Sequence, residues 1–261
     1  MDAGRALLAV SVGSSRTDSR PAGLEEVERA LRDAFPEREF CRAYTGGHIR
    51  RVLAQQGGAA DSPAEALARL ADGGFSSVLI QPTHLLPGGE FRRLEEEARP
   101  IAARFSSLLI GRPLLSCEED AAALARALAE ETLPRIPPEE AAVFVGHPTG
   151  TESRALIERL DAALRAASSR PLFAVTLPDA EGTAARLKER GIRRAVLLPL
   201  MLGAGVHARR DLAGEGADSF ASRMRREGLE ASCLLQGLGE CPAVRALYVR
   251  HAGEALPLLA E

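Results

Sequence analysis

The sequence has no tryptophan, and aromatic residues make up only 4% of its 261 residues. It also has no excess of positive charge, since its formal net charge is −3. A general nucleic-acid binder usually carries a basic face and aromatic rings on which bases stack. We therefore expect no nucleic-acid partner, and we expect any polyanionic ligand to be bound by local arginines.

Cysteine and long apolar runs are scarce as well. No two of the four cysteines have the C-x-x-C spacing, so four reduced thiols are expected. The early apolar run "ALLAVSV" lacks the basic leader and the length of a signal peptide. No apolar run approaches the roughly 18 residues that a membrane-spanning helix needs. These absences predict a soluble cytoplasmic protein with no membrane partner.

Aliphatic runs bounded by Gly, Pro or Ser recur along the chain and are typical of buried strands. They are "ALLAVSVG", "SSVLIQP", "SSLLIGRP", "AAVFVGHP", "PLFAVTLP", "RRAVLLPLMLG" and "SCLLQGLG". Between them lie segments rich in Ala, Leu, Glu and Arg whose apolar residues recur at helical spacing. Alternating strands and helices predict a parallel sheet with helices on both faces.

The order of these segments repeats, which predicts an internal duplication. Gly13 corresponds to Gly146, Pro82 to Pro199 and Gly111 to Gly237, and the Pro-rich segment 133–141 joins the two copies. The predicted fold class is therefore α/β, with two similar doubly wound parallel-sheet halves facing a central cleft. The predicted domains are an N-terminal half, residues 1–135, and a C-terminal half, residues 136–261.

The duplication places three chemically useful side chains at equivalent loop positions. Glu90 follows Pro82 by eight residues, as His207 follows Pro199, and His147 falls opposite Ser14 in the first pair of equivalent strands. Ligands of doubly wound sheets bind at the carboxyl ends of the strands. We therefore expect these side chains to lie at that edge and to converge on the cleft.

Two imidazoles and one carboxylate suit Co, Ni, Fe or Zn better than Ca or Mg, which prefer oxygen ligands. Three protein ligands also leave coordination positions open for a substrate. No two of the three residues lie within one helical turn, so their spacing is not by itself a metal motif.

Several phrases resemble those of a known family. They are "FVGHPTGTES", "GRPLL", "LLPLMLGAGVHARRDLAGEGADSF" and "QGLGECPAVRALYVRH", and they resemble the anaerobic cobalt chelatases, the CbiK-type sirohydrochlorin cobaltochelatases of class II. The resemblance implies an enzyme that inserts a divalent ion, Co²⁺ first, into sirohydrochlorin or its precorrin-2 equivalent in cobalamin biosynthesis, without a nucleotide. It implies that His147 and His207 handle the metal, with Glu90 as their acidic partner.

The sequence departs from this family's pattern in three places. Where the family often has G-T-x-H, this chain has residues 148–151, "PTGT", so a second nearby histidine is absent. Arg209 and Arg210 stand where an amide is common before the aspartate. Pro178 and Asp179 stand where a glutamate is common. These departures leave the metal and the tetrapyrrole open.

A carboxylate-rich macrocycle needs hydrogen-bond donors and an apolar surface. The candidate substrate contacts are Ser14, Ser15, Thr149, Arg209, Arg210, Met201 and His84. Each has a structural alternative: helix capping for the hydroxyl residues, a solvated loop for the arginines, core packing for the methionine and support of a neighbouring residue for the histidine.

Two other functions are compatible with these features. One is an iron or nickel chelatase acting on the same ring system, since affinity order follows the metal more than the site. The other is a tetrapyrrole-binding or metal-binding protein without turnover. A nucleotide-dependent enzyme is not expected, because "VGSSRTDS" lacks the glycines of a phosphate-binding loop. A homo-oligomer remains open.

Overall fold

The computed structural model describes residues 4–13, 22–58, 60–147, 150–205 and 208–257. Strands in these ranges form two four-stranded sheets, and all their pairings are parallel. The first sheet has the order β2-β1-β3-β4 and the second the order β6-β5-β7-β8. The strands are β1 Gly4–Ser11, β2 Glu39–Tyr44, β3 Phe75–Pro82, β4 Ser107–Ile110, β5 Ala141–Gly146, β6 Leu172–Thr176, β7 Arg194–Pro199 and β8 Glu230–Cys233.

Helices alternate with the strands along the chain. They are α1 Ala22–Ala34, α2 Gly47–Gln55, α3 Pro63–Asp72, α4 Gly89–Ala98, α5 Glu118–Thr132, α6 Thr151–Ala167, α7 Ala180–Glu189, α8 Phe220–Arg226 and α9 Pro242–Glu254. A short π-helix covers Ala208–Leu212. None of the helices in the described ranges combines the length and the apolar character needed to cross a bilayer.

The strand runs are continuously aliphatic because the central strands are buried on both faces. In the first unit Leu8 of β1 packs with Leu67 of α3 and Leu94 of α4, and the neighbouring residues of β1 are buried too. In the second, Val143 of β5 packs with Phe220 of α8. Burying one such side chain contributes about 1.5–3 kcal/mol. The predicted α/β class with two similar parallel-sheet halves is confirmed.

The sequence analysis missed β2, α2 and α8. The β2 sequence "EFCRAY" mixes charged with apolar residues because β2 is an edge strand that is only partly buried. Its pattern therefore lacks the aliphatic run of a central strand. Helices α2 and α8 have nine and seven residues, too few to display a convincing apolar period.

The internal contacts divide the chain into two units. One contains Met1–Leu114 with Arg245–Glu261, and the other contains Leu115–Val244. The predicted boundary after residue 135 separates the two sheets, but the helices do not follow it. Helix α5 packs along α6 in the second unit, and most of α9 belongs to the first.

Helix α9 is tied to the first unit by a buried tyrosine. The Tyr248 hydroxyl donates a hydrogen bond to the Thr83 carbonyl, directly after β3, at 3.0 Å. The tyrosine side chain is fully buried. The last helix of the chain therefore completes the unit that the first strand begins.

The register corrects two of the predicted correspondences. Val10 pairs with Pro82 and Val145 with Pro199, which confirms the match of the two prolines. Counted from these pairs, Gly146 corresponds to Ser11, and His147 therefore corresponds to Val12. The prediction that matched Gly146 to Gly13 and His147 to Ser14 was wrong by two residues, because it aligned the glycines.

The match of Gly111 to Gly237 was also wrong. Gly111 donates its N–H to the Ile80 carbonyl of β3, and the corresponding bond in the second unit runs from Leu234 to Leu197. Gly237 lies three residues after Leu234, at a point where its backbone packs closely against the loop after β7. A Cβ at Gly237 would lie 2.4 Å from the Leu202 carbonyl oxygen, in the loop after β7.

We expect Gly237→Ala to lower the free energy of unfolding by about 1–3 kcal/mol, because the added methyl group would push against the backbone of the β7 loop. Gly216→Ala is the matched control: a Cβ there meets nothing within 4 Å, so its effect should stay within about 0.5 kcal/mol. Urea denaturation of both variants provides the measurement. Equal stabilities would contradict the close approach of this loop.

Candidate functional site

At the carboxyl edge of the first sheet, backbone hydrogen bonds hold the loops that follow the strands. The Thr45 N–H donates to the Ser11 carbonyl at 2.9 Å, and the Thr83 N–H donates to the Val10 carbonyl at 2.8 Å. The chain that leaves β2 and the chain that leaves β3 are thus both anchored to β1. These bonds place Thr45 and His84 at the same edge.

His84 is buried in the first unit, with 7% of its surface exposed. Its Nε2 lies 3.4 Å from the Thr45 Oγ1, which is itself 3.4 Å from the Ser11 carbonyl oxygen. Its ring meets Phe91 edge to face. Among the described residues its Nδ1 has no hydrogen-bond partner although the atom is buried. A buried ring nitrogen without a partner indicates a site for a ligand, a proton or a water molecule.

The electrostatics keep this imidazole neutral. Burial lowers the pKa of His84 to about 4, and the negative charge of Glu90 acts in the opposite direction. Desolvation dominates because a charged imidazolium loses its hydration in an apolar environment. At neutral pH the ring therefore carries one proton and one lone pair.

Glu90 lies in the first turn of α4, where the helix dipole favours a negative charge. Arg93, one turn later, donates to its Oε1 at 3.3 Å and also to the Thr45 carbonyl oxygen at 3.1 Å. The other carboxylate oxygen, Oε2, is buried and has no partner within the described part of the chain. The carboxylate is thus held at one oxygen and unpaired at the other.

In the second unit, His147 directly follows β5 and is exposed. The loop after β7 begins with Met201, which is half-buried. Its carbonyl accepts the Leu238 N–H at 2.8 Å. His147 is therefore available to a ligand from outside, whereas Met201 divides its surface between the core and the exterior.

The two arginines that follow position 207 are exposed in the short π-helix. Arg210 is ion-paired with Asp211, with 2.6 Å between Nε and Oδ1. This hydrogen bond raises the pKa of Arg210. Arg209 differs, because its backbone N–H anchors the turn to Gly205 at 3.1 Å while its side chain faces outward.

Several predicted site residues lie outside the described residues. They are His207, Ser14, Ser15 and Thr149. Glu90 belongs to the first unit and His147 to the second, so the convergence of the three proposed ligands stays a prediction. Within the described ranges, no three His, Cys, Asp or Glu side chains are grouped to hold a metal ion.

The turn after β6 has Pro178 and Asp179 where the family commonly has a glutamate, and Glu181 lies nearby in the sequence. The Glu181 carboxylate is ion-paired. Arg223 forms an ion pair with Glu181 and donates to the carbonyls of Leu177 and Pro178 at 3.0 and 2.6 Å. The hydrogen bond from Arg223 lowers the pKa of Glu181 to about 2. Arg223 therefore braces the turn after β6, and Glu181 pairs with its guanidinium.

Two residues of this edge were missed from sequence. Thr45 follows β2, the strand that the aliphatic pattern did not reveal, so nothing marked its position. Arg93 did carry a signal, because it lies three residues after Glu90 on a helix, and side chains at that spacing face each other. Both residues now belong to the His84 cluster, which we define as Ser11, Thr45, His84, Glu90 and Arg93.

Comparisons with known proteins agree with the fold. The family model described as cobalt chelatase (CbiK) matches residues 5–256. The sirohydrochlorin cobaltochelatase of Salmonella typhimurium is 35% identical over 260 residues, which cover 98% of each chain. The sirohydrochlorin cobaltochelatase CbiKC of Nitratidesulfovibrio vulgaris is 28% identical over 267 residues, covering 98% of this chain and 92% of its own.

Solved structures are similar in fold, and one of them illustrates the level of similarity. SirB from Bacillus subtilis with Fe³⁺ superimposes with a TM-score of 0.65 at 14% identity, over 97% of this chain and 95% of its own. At that level of identity the similarity extends to the architecture alone.

We expect the burial of His84 to make stability depend on pH. An unfolded imidazole titrates near pH 6.5, whereas His84 in the folded chain titrates at about 4. The unfolded state therefore takes up a proton first, and stability is lost as the pH falls from about 6.5 towards 4. Between pH 7 and pH 4 the wild type should lose about 3 kcal/mol of its free energy of unfolding through His84. The variant His84→Gln lacks the imidazole and should not show this part of the loss.

Urea denaturation at the two pH values provides the measurement. His48→Gln is the matched control, because His48 is an exposed histidine of the same unit. It should keep the wild-type dependence. If His84→Gln also keeps the wild-type pH dependence of stability, the imidazole of His84 can be protonated in the folded chain, and the assignment of its low pKa is wrong.

Proposed function

The chain belongs to the cobalt chelatase (CbiK) family, and from this membership we propose that it inserts Co²⁺ into sirohydrochlorin. One observation carries the proposal: the 35% identity extends over 98% of both this chain and a relative named sirohydrochlorin cobaltochelatase. The reaction replaces two pyrrole N–H protons by one divalent ion, so it releases two protons and the metal is a substrate.

We propose that His147, His207 and Glu90 carry the reaction. Neutral imidazoles bind Co²⁺ firmly enough to capture it and can release it to four ring nitrogens. A carboxylate offsets part of the ion's charge and can accept a proton. The exposure of His147 directly after β5 supports this role, because the residue is available to an incoming ion. The buried and unpartnered Oε2 of Glu90 supports its role as acceptor.

The macrocycle itself needs partners for its carboxylates and its flat faces. Arg209 is exposed, so its guanidinium is available to a carboxylate. Arg210 would have to share its charge with Asp211. The half-exposed side chain of Met201 offers an apolar contact to the ring. Ser14, Ser15, Thr149 and His84 complete the proposed set of substrate contacts.

The proposal includes three negative statements. The reaction uses no nucleotide, because the segment "VGSSRTDS" lacks the glycines of a phosphate-binding loop. The protein has neither a nucleic-acid nor a membrane partner, and it works in the cytoplasm. Addition of ATP to the insertion assay should leave the rate unchanged.

We expect purified protein to accelerate the absorbance change that accompanies insertion of Co²⁺ into sirohydrochlorin, with Fe²⁺ and Ni²⁺ as parallel arms. His147→Ala and His207→Ala should each lower the rate about 100-fold or more, because each removes a metal ligand and a proton acceptor. His48→Ala, at an exposed histidine, is the control and should retain the wild-type rate.

The outcomes separate the alternatives. A faster reaction with Fe²⁺ or Ni²⁺ than with Co²⁺ would identify that ion as the preferred metal substrate. Binding of sirohydrochlorin without acceleration of any metal would identify a tetrapyrrole-binding protein. Full activity in both alanine variants would show that the assigned histidines are wrong.

A further inference from the structure

Three buried polar atoms lack a hydrogen-bond partner within the His84 cluster. They are Ser11 Oγ, His84 Nδ1 and Glu90 Oε2. The first belongs to the last residue of β1, the second to the loop after β3 and the third to the first turn of α4. Buried polar atoms are nearly always paired with protein or water, so three unpaired atoms in one cluster indicate something that binds there.

The tautomer of His84 follows from its neighbours. The Thr45 hydroxyl lies within reach of the Ser11 carbonyl, which can only accept a hydrogen bond. If the hydroxyl donates to that carbonyl, the Nε2 of His84 must carry the proton that it shares with Thr45. The Nδ1 then has a lone pair and no proton. A neutral imidazole oriented by a hydrogen bond at its other nitrogen is the usual state of a metal-bound histidine.

The carboxylate of Glu90 is also oriented by a neighbouring side chain. Arg93 holds its Oε1 and, through a second bond to Thr45, holds the carboxylate to the loop after β2. Oε2 keeps its full capacity as an acceptor because no donor reaches it among the described residues. The negative charge of Glu90 also acts to raise the pKa of the His84 imidazole, against the larger effect of burial.

We propose that His84 Nδ1 and Glu90 Oε2 form a transit site for the divalent substrate ion in the first unit. One imidazole nitrogen and one carboxylate oxygen suit Co²⁺, Ni²⁺, Fe²⁺ or Zn²⁺. The Ser11 hydroxyl and water complete the coordination. This inference rests on the proposed function, which supplies the ion, and adds a histidine that the proposed ligand set does not contain.

The site is built for weak binding. It has only two strong ligands, and the positive charge of Arg93 lies 3.3 Å from the same carboxylate. Glu90 also belongs to the ligand set proposed above with His147 and His207, so the two proposed sites have one ligand in common.

The test measures binding of Co²⁺ alone to the full chain. In the variant His147→Ala/His207→Ala, which lacks the other proposed ligands, we expect one Co²⁺ to remain bound per chain. Adding His84→Ala should weaken this binding about tenfold or more, and adding Thr45→Val should weaken it about tenfold because the ring loses its orienting partner. Adding His48→Ala is the control and should change nothing. Calorimetry and the visible spectrum of Co²⁺ provide the affinities.

Nitrogen NMR of the wild-type chain with Zn²⁺ as a diamagnetic probe keeps the test valid if His84→Ala does not fold. The His84 Nδ1 resonance should shift when Zn²⁺ binds, while Nε2 keeps its proton. The proposal is overturned if Nδ1 does not respond, if the double variant binds no Co²⁺, or if His84→Ala leaves the residual binding unchanged. None of these results depends on turnover, so loss of cobalt insertion would count against the proposed function alone.

Discussion

Hydrogen bonds between the first loop residue and the end of a neighbouring strand hold the candidate chemistry of this protein in place. The carbonyls at the ends of β1 and β5 accept these bonds. The donors are the backbone N–H groups of the first residues after the two strands that flank β1 or β5. The donors are Thr45 and Thr83 in the first unit and Leu177 and Leu200 in the second, with N···O distances of 2.8–2.9 Å. Because these bonds continue the sheet ladder, the position at which each loop begins is fixed by strand register, and His84 and His147 lie within two residues of a strand end.

The same backbone scheme carries different chemistry in the two units. Where the second unit has His147, the register places Val12 in the first, and Val12 is exposed to 41%. Where the first unit has His84, the second has Met201, and the carbonyls of both accept a bond from the loop beyond the next strand, from Leu114 and Leu238. The duplicated scaffold thus supplies equivalent positions, and the two units carry different side chains at those positions. Such asymmetry suits a reaction in which an ion must be captured and then given up.

Much of this organisation could be predicted from the sequence, because buried central strands leave an unmistakable aliphatic pattern. The alternation of such runs with helical segments predicted the two parallel sheets, and the prolines that end β3 and β7 aligned the two copies. The edge strand β2 was missed because its exposed face removes that pattern, and Thr45 was missed with it. The glycines misaligned His147 because a loop glycine marks a local turn and not a register. The burial of His84 and the exposure of His147 depend on tertiary packing, which periodicity along one chain does not report.

The central proposal is that His147, His207 and Glu90 bind the same metal ion. Anomalous diffraction from crystals grown with Co²⁺ tests it most directly, since cobalt is located independently of any assumed ligand. We predict a cobalt peak at about 2.1 Å from one imidazole nitrogen each of His147 and His207, with the Glu90 carboxylate completing the protein ligands. Cobalt bound by neither histidine, at a concentration that supports insertion, would contradict the account.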